Sequence, residues 1–118
     1  RTIVGPVISE RCKPELRNHT IETAGILNKA GVPMCICTDH PVVPEQYLPL
    51  SAGLAVRGGL DRDEALKAIT IYPAQITEIA DRVGSIEVGK DADIVIFSGD
   101  PLSVCDTPDM VIVNGTVI

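Results

Sequence analysis

Asp39 and His40 stand at the end of a continuous apolar run, Val32 to Cys37, and Pro41 follows at once. A carboxylate at such a place can bind a hard or borderline cation and can take a proton from a metal-bound water. The adjacent imidazole can orient that carboxylate or add a ligand. The same aspartate also suits a plain turn, accepting local backbone hydrogen bonds ahead of a proline, so the pair alone leaves both readings open. Lys13, Glu15 and Arg17 follow an earlier apolar segment and either reach toward the same place or stay solvated in their loop. His19 reads as a solvated loop histidine.

The remaining reactive residues point to less. Cys12, Cys35, Cys37 and Cys105 are the four cysteines. Cys35 and Cys37 share one face of a strand, but a structural zinc site wants a Cys-x-x-Cys loop and a second pair. Buried, inert thiols in a cytosolic protein are the expectation. Gly84, Gly89 and Gly99 bound strands instead of opening a helix, which makes them turn glycines and not a phosphate cradle.

The elements that must position Asp39 follow from periodicity. Thr2 to Ile8 reads as a short buried strand broken by Gly5-Pro6. Thr20 is placed as a helix N-cap, Ile21, Ala24, Leu27 and Ala30 keep helical spacing, and Gly31 stops the helix. Val32 to Cys37 suits a parallel strand covered on both faces. Strand, helix and strand within about 35 residues make a βαβ unit. A small-faced helix carrying Ser51, Ala52, Gly53 and Ala55 follows and ends at Gly58-Gly59. Asp61 with Glu64 is a capping-box-like start for a helix from Arg62 to Thr70, and Pro73 opens another through Ile79. Beyond Gly84 the period becomes strand-like: Ile86 and Val88 alternate with polar residues, Ile94 to Phe97 is a strand, and Asn114-Gly115 joins Met110–Val113 to Thr116–Ile118 as a hairpin.

Composition bounds the function classes. The chain has 118 residues, 45% of them hydrophobic, with three aromatics and no tryptophan. That supports one packed domain and excludes a disordered tail. It also excludes a closed eight-stranded α/β barrel from this chain alone, because that architecture takes about 250 residues. A net charge of −6 with no basic cluster disfavours nucleic acid as a partner. No uncharged apolar stretch approaches the roughly 18 residues of a membrane span. The opening Arg1-Thr2-Ile3-Val4, without methionine or a signal-like segment, is expected of a chain whose upstream part has been removed.

Several segments taken together resemble one family. They are Gly31-Val32-Pro33, the strand ending Thr38-Asp39-His40-Pro41, the stretches Glu64 to Thr70 and Pro73-Ala74, Gly84 to Val95 with its Gly89-Lys90-Asp91-Ala92-Asp93 core, and Val113-Asn114-Gly115. Their order is similar to the C-terminal portion of the amidohydrolase superfamily, nearest the imidazolonepropionase-like metal-dependent hydrolases. The resemblance implies an α/β fold. Residues 1–83 would be a fragment of a (β/α)8 TIM barrel, its last strands and helices, and residues 84–118 strands of a small composite β-sandwich. It implies that Asp39 ligates the metal and serves as general base for the attacking water. His40 then lies beside the ligands, and Lys13 and Glu15 become candidates to support them or to meet substrate. The other metal ligands have no counterpart here and belong to an upstream region.

The implied cofactor is a divalent metal, zinc by preference, held by the whole enzyme and not by this stretch. The implied reaction is hydrolysis of a non-peptide carbon–nitrogen bond in a cyclic amide or amidine, with the isolated chain inactive. Deaminase, deacetylase and dipeptidase activities stay open within the superfamily. A non-catalytic structural or assembly domain on the same scaffold is the rival from another class. The expected partner is a small-molecule substrate, with neither nucleic acid nor membrane involved and a cytoplasmic location. Open strand edges and uncovered apolar faces predict a homo-oligomer or an element-swapped dimer.

Overall fold

A computed structural model describes residues 1–11 and 13–118, and the expectation for Cys12 lies outside the described residues. Strand β1 (Thr2–Val4) and strand β2 (Met34–Ile36) pair in parallel, with Thr2 opposite Met34 and Val4 opposite Ile36. All three residues of β2 are buried, as a continuous apolar run demands. Helix α1 (Thr23–Lys29) connects them, so the strand–helix–strand unit is present in shortened form. β1 ends at Val4 and not at Ile8, because Pro6 has no N–H to extend a ladder and the Gly5 backbone is pressed against the Cys37 carbonyl. The helix starts two residues later than the sequence predicts. Thr20 closes a preceding turn instead, its carbonyl accepting from the Thr23 hydroxyl at 2.9 Å, and Glu22 takes the N-cap position.

Gly31 does stop α1. Its φ of +70° is a left-handed conformation that glycine adopts freely. Two backbone bonds close the end: Gly31 N–H to the Asn28 carbonyl at 2.9 Å and Val32 N–H to the Leu27 carbonyl at 3.0 Å. This is the Schellman arrangement, and it turns the chain directly into β2.

Three further helices cover the strand pair: α2 (Leu48–Arg57), α3 (Arg62–Ala68) and α4 (Ile71–Ile76). Ser51, Ala52 and Ala55 are fully buried, which bears out the small-faced reading of α2. Their shortness lets backbones approach closely: a Cβ at Gly53 would sit 2.6 Å from the Leu102 carbonyl oxygen. The core gathers Val4, Met34, Ile36, Ala24, Ala65 and Leu60 between strands and helices. Asp61 caps α3, its carboxylate accepting from the N–H groups of Asp63 and Glu64 at 2.9 and 3.2 Å. Glu64 does not complete the box. α4 begins at Ile71, so Pro73 lies inside its first turn instead of opening it, and α4 ends at Ile76, short of Ile79.

Glu64 is instead the polar joint of the helical layer. Its carboxylate accepts from Lys67 Nζ at 2.8 Å, from the Tyr72 hydroxyl of α4 at 2.8 Å and from Asn28 Nδ2 of α1 at 3.2 Å. The Lys67 bond first, then that from Tyr72, holds the carboxyl below the ordinary glutamate range. A folded-state pKa lowered in this way adds stability above the unfolded value, and that stability is lost as pH falls through the lowered value. Glu64→Gln should therefore cost about 1 kcal/mol at neutral pH and flatten the fall of the urea midpoint on acidification. Urea titrations of both proteins across the glutamate range check this, and an unchanged acid slope would contradict it.

The last part is antiparallel: β3 (Ile94–Ile96), β4 (Met110–Val113) and β5 (Thr116–Val117), in the order β3-β4-β5. Asn114 and Gly115 both have positive φ, +48° and +78°, the type I′ geometry expected of the hairpin. The expected strand around Ile86 and Val88 does not form. Ser85, Glu87 and Lys90 bond to one another and Asp91 N–H closes back on the Arg82 carbonyl, so this backbone turns between Gly84 and Gly89 and pairs with no strand. Ile86 and Val88 are left exposed.

The Gly89–Asp93 stretch has a structural task. Asp93 Oδ1 accepts from Asn114 N–H at 2.8 Å and the Ala92 carbonyl accepts from Gly115 N–H at 3.0 Å, which pins the hairpin turn to the entry of β3. Val95, Ile96, Met110, Val113, Val117 and Ile118 all stay exposed on this sheet. Among the described residues no helix is long and apolar enough to cross a membrane.

Candidate functional site

Parallel pairing places the carboxyl ends of β1 and β2 side by side, the end where α/β folds bind ligands. Cys37 N–H extends the ladder by one bond to the Val4 carbonyl, 2.9 Å. Thr38 is buried, and then the chain surfaces at Asp39 and His40. Asp39 has φ +55°, a left-handed conformation that is uncommon outside glycine but tolerated by aspartate and asparagine. Its carbonyl accepts from Val42 N–H at 2.8 Å, so Asp39 to Val42 is a tight turn. Val43, buried just beyond, anchors the far side.

The turn therefore uses the backbone of Asp39 and leaves its side chain to solvent. Among the described residues no donor reaches the Asp39 carboxylate, and the His40 ring is likewise unengaged. This separates the two readings of Asp39: the turn is real, and the carboxylate takes no part in holding it.

Lys13 and Glu15 lie on the loop that follows β1, around a single 3-10 turn at Pro14–Leu16, and both are exposed. The loop rises from the same end of the strand pair as Asp39. Among the described residues no hydrogen bond or ion pair joins Lys13 or Glu15 to Asp39 or His40.

Two residues that the sequence left idle are engaged here. His19 is half-buried, and its Nε2 lies 2.9 Å from the Pro6 carbonyl, which only a protonated Nε2 can satisfy. Arg11 donates from Nε to the His19 carbonyl at 3.0 Å. The solvated reading of His19 is thus corrected: its ring ties the far end of the loop to its beginning. The two bonds span thirteen and eight residues, and no local pattern announces them.

The thiols divide in the same way. Burial first, then neighbouring Cys37, pushes the Cys35 thiol up, which keeps it protonated and inert as expected. Cys37 is only half-buried and Cys105 is exposed, against the expectation that all were inside.

Two hollows flank the strand pair. The larger, about 890 Å³, is lined by Arg1, Pro33, Glu64, Tyr72 and Glu78 at the amino ends of the strands. The smaller, about 230 Å³, runs between β1 and α1 and reaches Pro6 and His19 beyond the carboxyl end of β1. Position decides between them, because the catalytic end of a parallel strand is its carboxyl end.

As a metal centre the arrangement is incomplete. One carboxylate free of protein donors is a sound oxygen ligand, and His40 can supply a nitrogen. Yet among the described residues no group of three or more His, Cys, Asp or Glu side chains converges, and a catalytic metal takes about three protein ligands.

Comparison with known proteins adds the context. The model of the amidohydrolase family matches residues 6–118. The amidohydrolase tasK of Hapsidospora irregularis is 34% identical over 104 residues, which is 88% of this chain and 11% of that protein. An imidazolonepropionase from Thermoplasma acidophilum is 40% identical over 70 residues, 58% of this chain and 17% of its own length. A crystal structure of an amidohydrolase from Thermotoga maritima MSB8 superposes with a TM-score of 0.93 at 40% identity, over 98% of this chain and 30% of that one. A Xaa-Pro dipeptidase with bound methionine gives 0.74 at 26% identity, over 86% and 26%. The chain thus spans between a tenth and a third of the proteins it matches.

Proposed function

The chain belongs to the amidohydrolase family, and from that premise we propose that the enzyme containing it hydrolyses a non-peptide carbon–nitrogen bond, in a cyclic amide or amidine, with activated water as the nucleophile. The observation that carries this reading is Asp39: a carboxylate on a left-handed turn at the carboxyl end of a buried parallel strand, held by its backbone and open at its side chain. In this reading residues 1–83 are the closing strands and helices of a (β/α)8 barrel, and residues 84–118 are part of a β-sandwich. The parallel pair backed by helices, the separate antiparallel sheet and the likeness to the Thermotoga amidohydrolase support it.

A divalent metal, zinc by preference, would supply a bound water of lowered pKa beside Asp39. Asp39 contributes one oxygen ligand and accepts the proton of the attacking water. It then returns that proton to the ring nitrogen as the carbon–nitrogen bond breaks, so that the ring opens with the nitrogen kept as a neutral amino group on the same product. His40, next in the chain and equally exposed, orients Asp39 or contacts the substrate. Lys13 and Glu15 flank the mouth of the site from the loop after β1. The remaining ligands come from polypeptide outside these residues, so the chain alone neither holds the metal nor turns over substrate.

The free thiol of Cys35 is in keeping with a cytoplasmic setting. The exposed apolar residues of β3–β5 are in keeping with cover by further polypeptide, by a second copy or by exchanged elements. A second reading, cleavage of a dipeptide, is favoured by the likeness to the Xaa-Pro dipeptidase.

Metal analysis with light scattering tests the reading. The full-length enzyme should lose activity to a chelator and regain it with zinc, whereas the isolated chain should bind well under one metal and scatter above its 12.5 kDa mass. Full activity of the metal-free enzyme would overturn it, and a panel of cyclic amides and dipeptides separates the two substrate classes.

A further inference from the structure

We propose that Arg11 recognises the substrate of this site by pairing with an anionic group on it, a carboxylate; the inference rests on the placement of the site at Asp39 and names the substrate class it takes. The connection from β1 to α1 runs from Gly5 to Glu22, far beyond the roughly 2–6 residues usual between a strand and its helix. Loops of this length at the carboxyl end of a strand carry binding function more often than structure. This one is held in shape. Gly5 abuts the end of β2, Pro6 offers its carbonyl to His19, and the His19 carbonyl takes Arg11 Nε.

That last bond fixes the guanidinium plane without using its outer edge. Among the described residues the two terminal nitrogens of Arg11 make no hydrogen bond or ion pair. A guanidinium edge presented in this way matches the two oxygens of a carboxylate, giving two parallel charge-assisted bonds. Pro6, the base of the chain of contacts, follows Gly5, which lies against Cys37, two residues before Asp39. The cation is therefore anchored to the same strand ends as the proposed general base.

Charge distribution points the same way. Residues 9–19 carry Arg11, Lys13 and Arg17 against Glu10 and Glu15, a net of +1 in a chain whose total is −6. Elsewhere Arg1, Arg62, Lys67, Arg82 and Lys90 are taken up in ion pairs with carboxylates. Among the described residues the loop's cations have no such partners. Lys29 and Arg57, at the ends of α1 and α2, have no ion pair among the described residues either, but only this loop gathers three such cations within seven residues.

The test is equilibrium binding by calorimetry to the full-length enzyme, with 5-oxoproline, a cyclic amide bearing a carboxylate, and its neutral carboxamide as probes. Wild type should bind the carboxylate about 10- to 100-fold more tightly. Arg11→Gln should abolish that ratio and leave carboxamide affinity unchanged, and Arg17→Gln on the same loop should preserve it. Should Arg11→Gln not fold, Arg11→Lys keeps the charge and loses the paired edge, and should lower the ratio. Equal affinities in wild type, a ratio that survives at Arg11, or an equal loss at Arg17 would each overturn the proposal. Failure of the Asp39 reading shows separately, as full turnover in Asp39→Asn, and leaves the binding comparison intact.

Discussion

Asp39→Asn in the full-length enzyme is expected to lower kcat by about 10²- to 10⁴-fold while leaving the fold intact. The backbone makes this substitution unusually clean. At φ +55° most side chains would add strain, but asparagine enters the left-handed region almost as readily as aspartate. It has the same shape, and its carbonyl oxygen can still face a cation. What it lacks is the capacity to accept a proton from water and return it to the leaving nitrogen. Because nothing in the described fold leans on the carboxylate, thermal unfolding of the metal-free enzyme should be unchanged. KM should move little if the substrate is held by other residues. Metal content separates the two duties of the side chain: loss of activity with metal retained assigns proton transfer, and loss of both assigns ligation. An Asp39→Asn enzyme with wild-type turnover would end the general-base reading.

Gly5→Ala is expected to have a large structural effect at the same strand end. A Cβ built at Gly5 runs into the Cys37 carbonyl and comes within 2.7 Å of the Cys37 sulfur. Neither can move freely, since Cys37 N–H is bonded to Val4 and Cys35 is buried on the strand behind it. Overpacking against side chains costs about 1–3 kcal/mol, and a clash with backbone belongs at the top of that range. Gly31→Ala provides the comparison: nothing lies within 4 Å of its Cβ, so only the left-handed strain of φ +70° remains, about 1–2 kcal/mol. Urea unfolding should rank wild type above Gly31→Ala and Gly31→Ala above Gly5→Ala. In the full-length enzyme Gly5→Ala should also depress kcat, because relief of the clash displaces the strand end that carries Asp39. Wild-type stability in Gly5→Ala would mean the two strand ends are not in contact as described.

What could be read from the sequence was what short range decides. The six-residue apolar run ending in Thr38-Asp39 announced a covered strand with a polar exit. Gly31 and Gly59 announced helix stops, and Asn114-Gly115 a hairpin, because each depends on a backbone conformation that few residues adopt. The failures share the opposite cause. Ile86 and Val88 alternate as a strand should, but Gly84 packs so closely on α4 that an added Cβ would lie 2.8 Å from the Ala74 Cβ, and this contact from outside the segment turns the backbone away from any strand partner. Glu64 looked like half of a capping box and was claimed instead by Tyr72 and Asn28, the latter 36 residues away. His19 and Arg11 were invisible for the same reason. Their partners are carbonyls, which every residue has, and only the path of the loop says which carbonyl is near. Asp39 itself was legible in position; its open side chain was not.

The bond from Asp93 to the Asn114 N–H bears on how a relative of this protein would be recognised. The Gly89–Asp93 stretch is the most recognisable text in the chain, yet its aspartate is engaged by a hairpin turn 21 residues downstream and contributes nothing at the Asp39 end. A descendant that had lost every catalytic group would still need it to close the same turn. Finding those letters in another genome therefore certifies a shape that can assemble, and leaves the chemistry proposed at Asp39 to be judged from other residues.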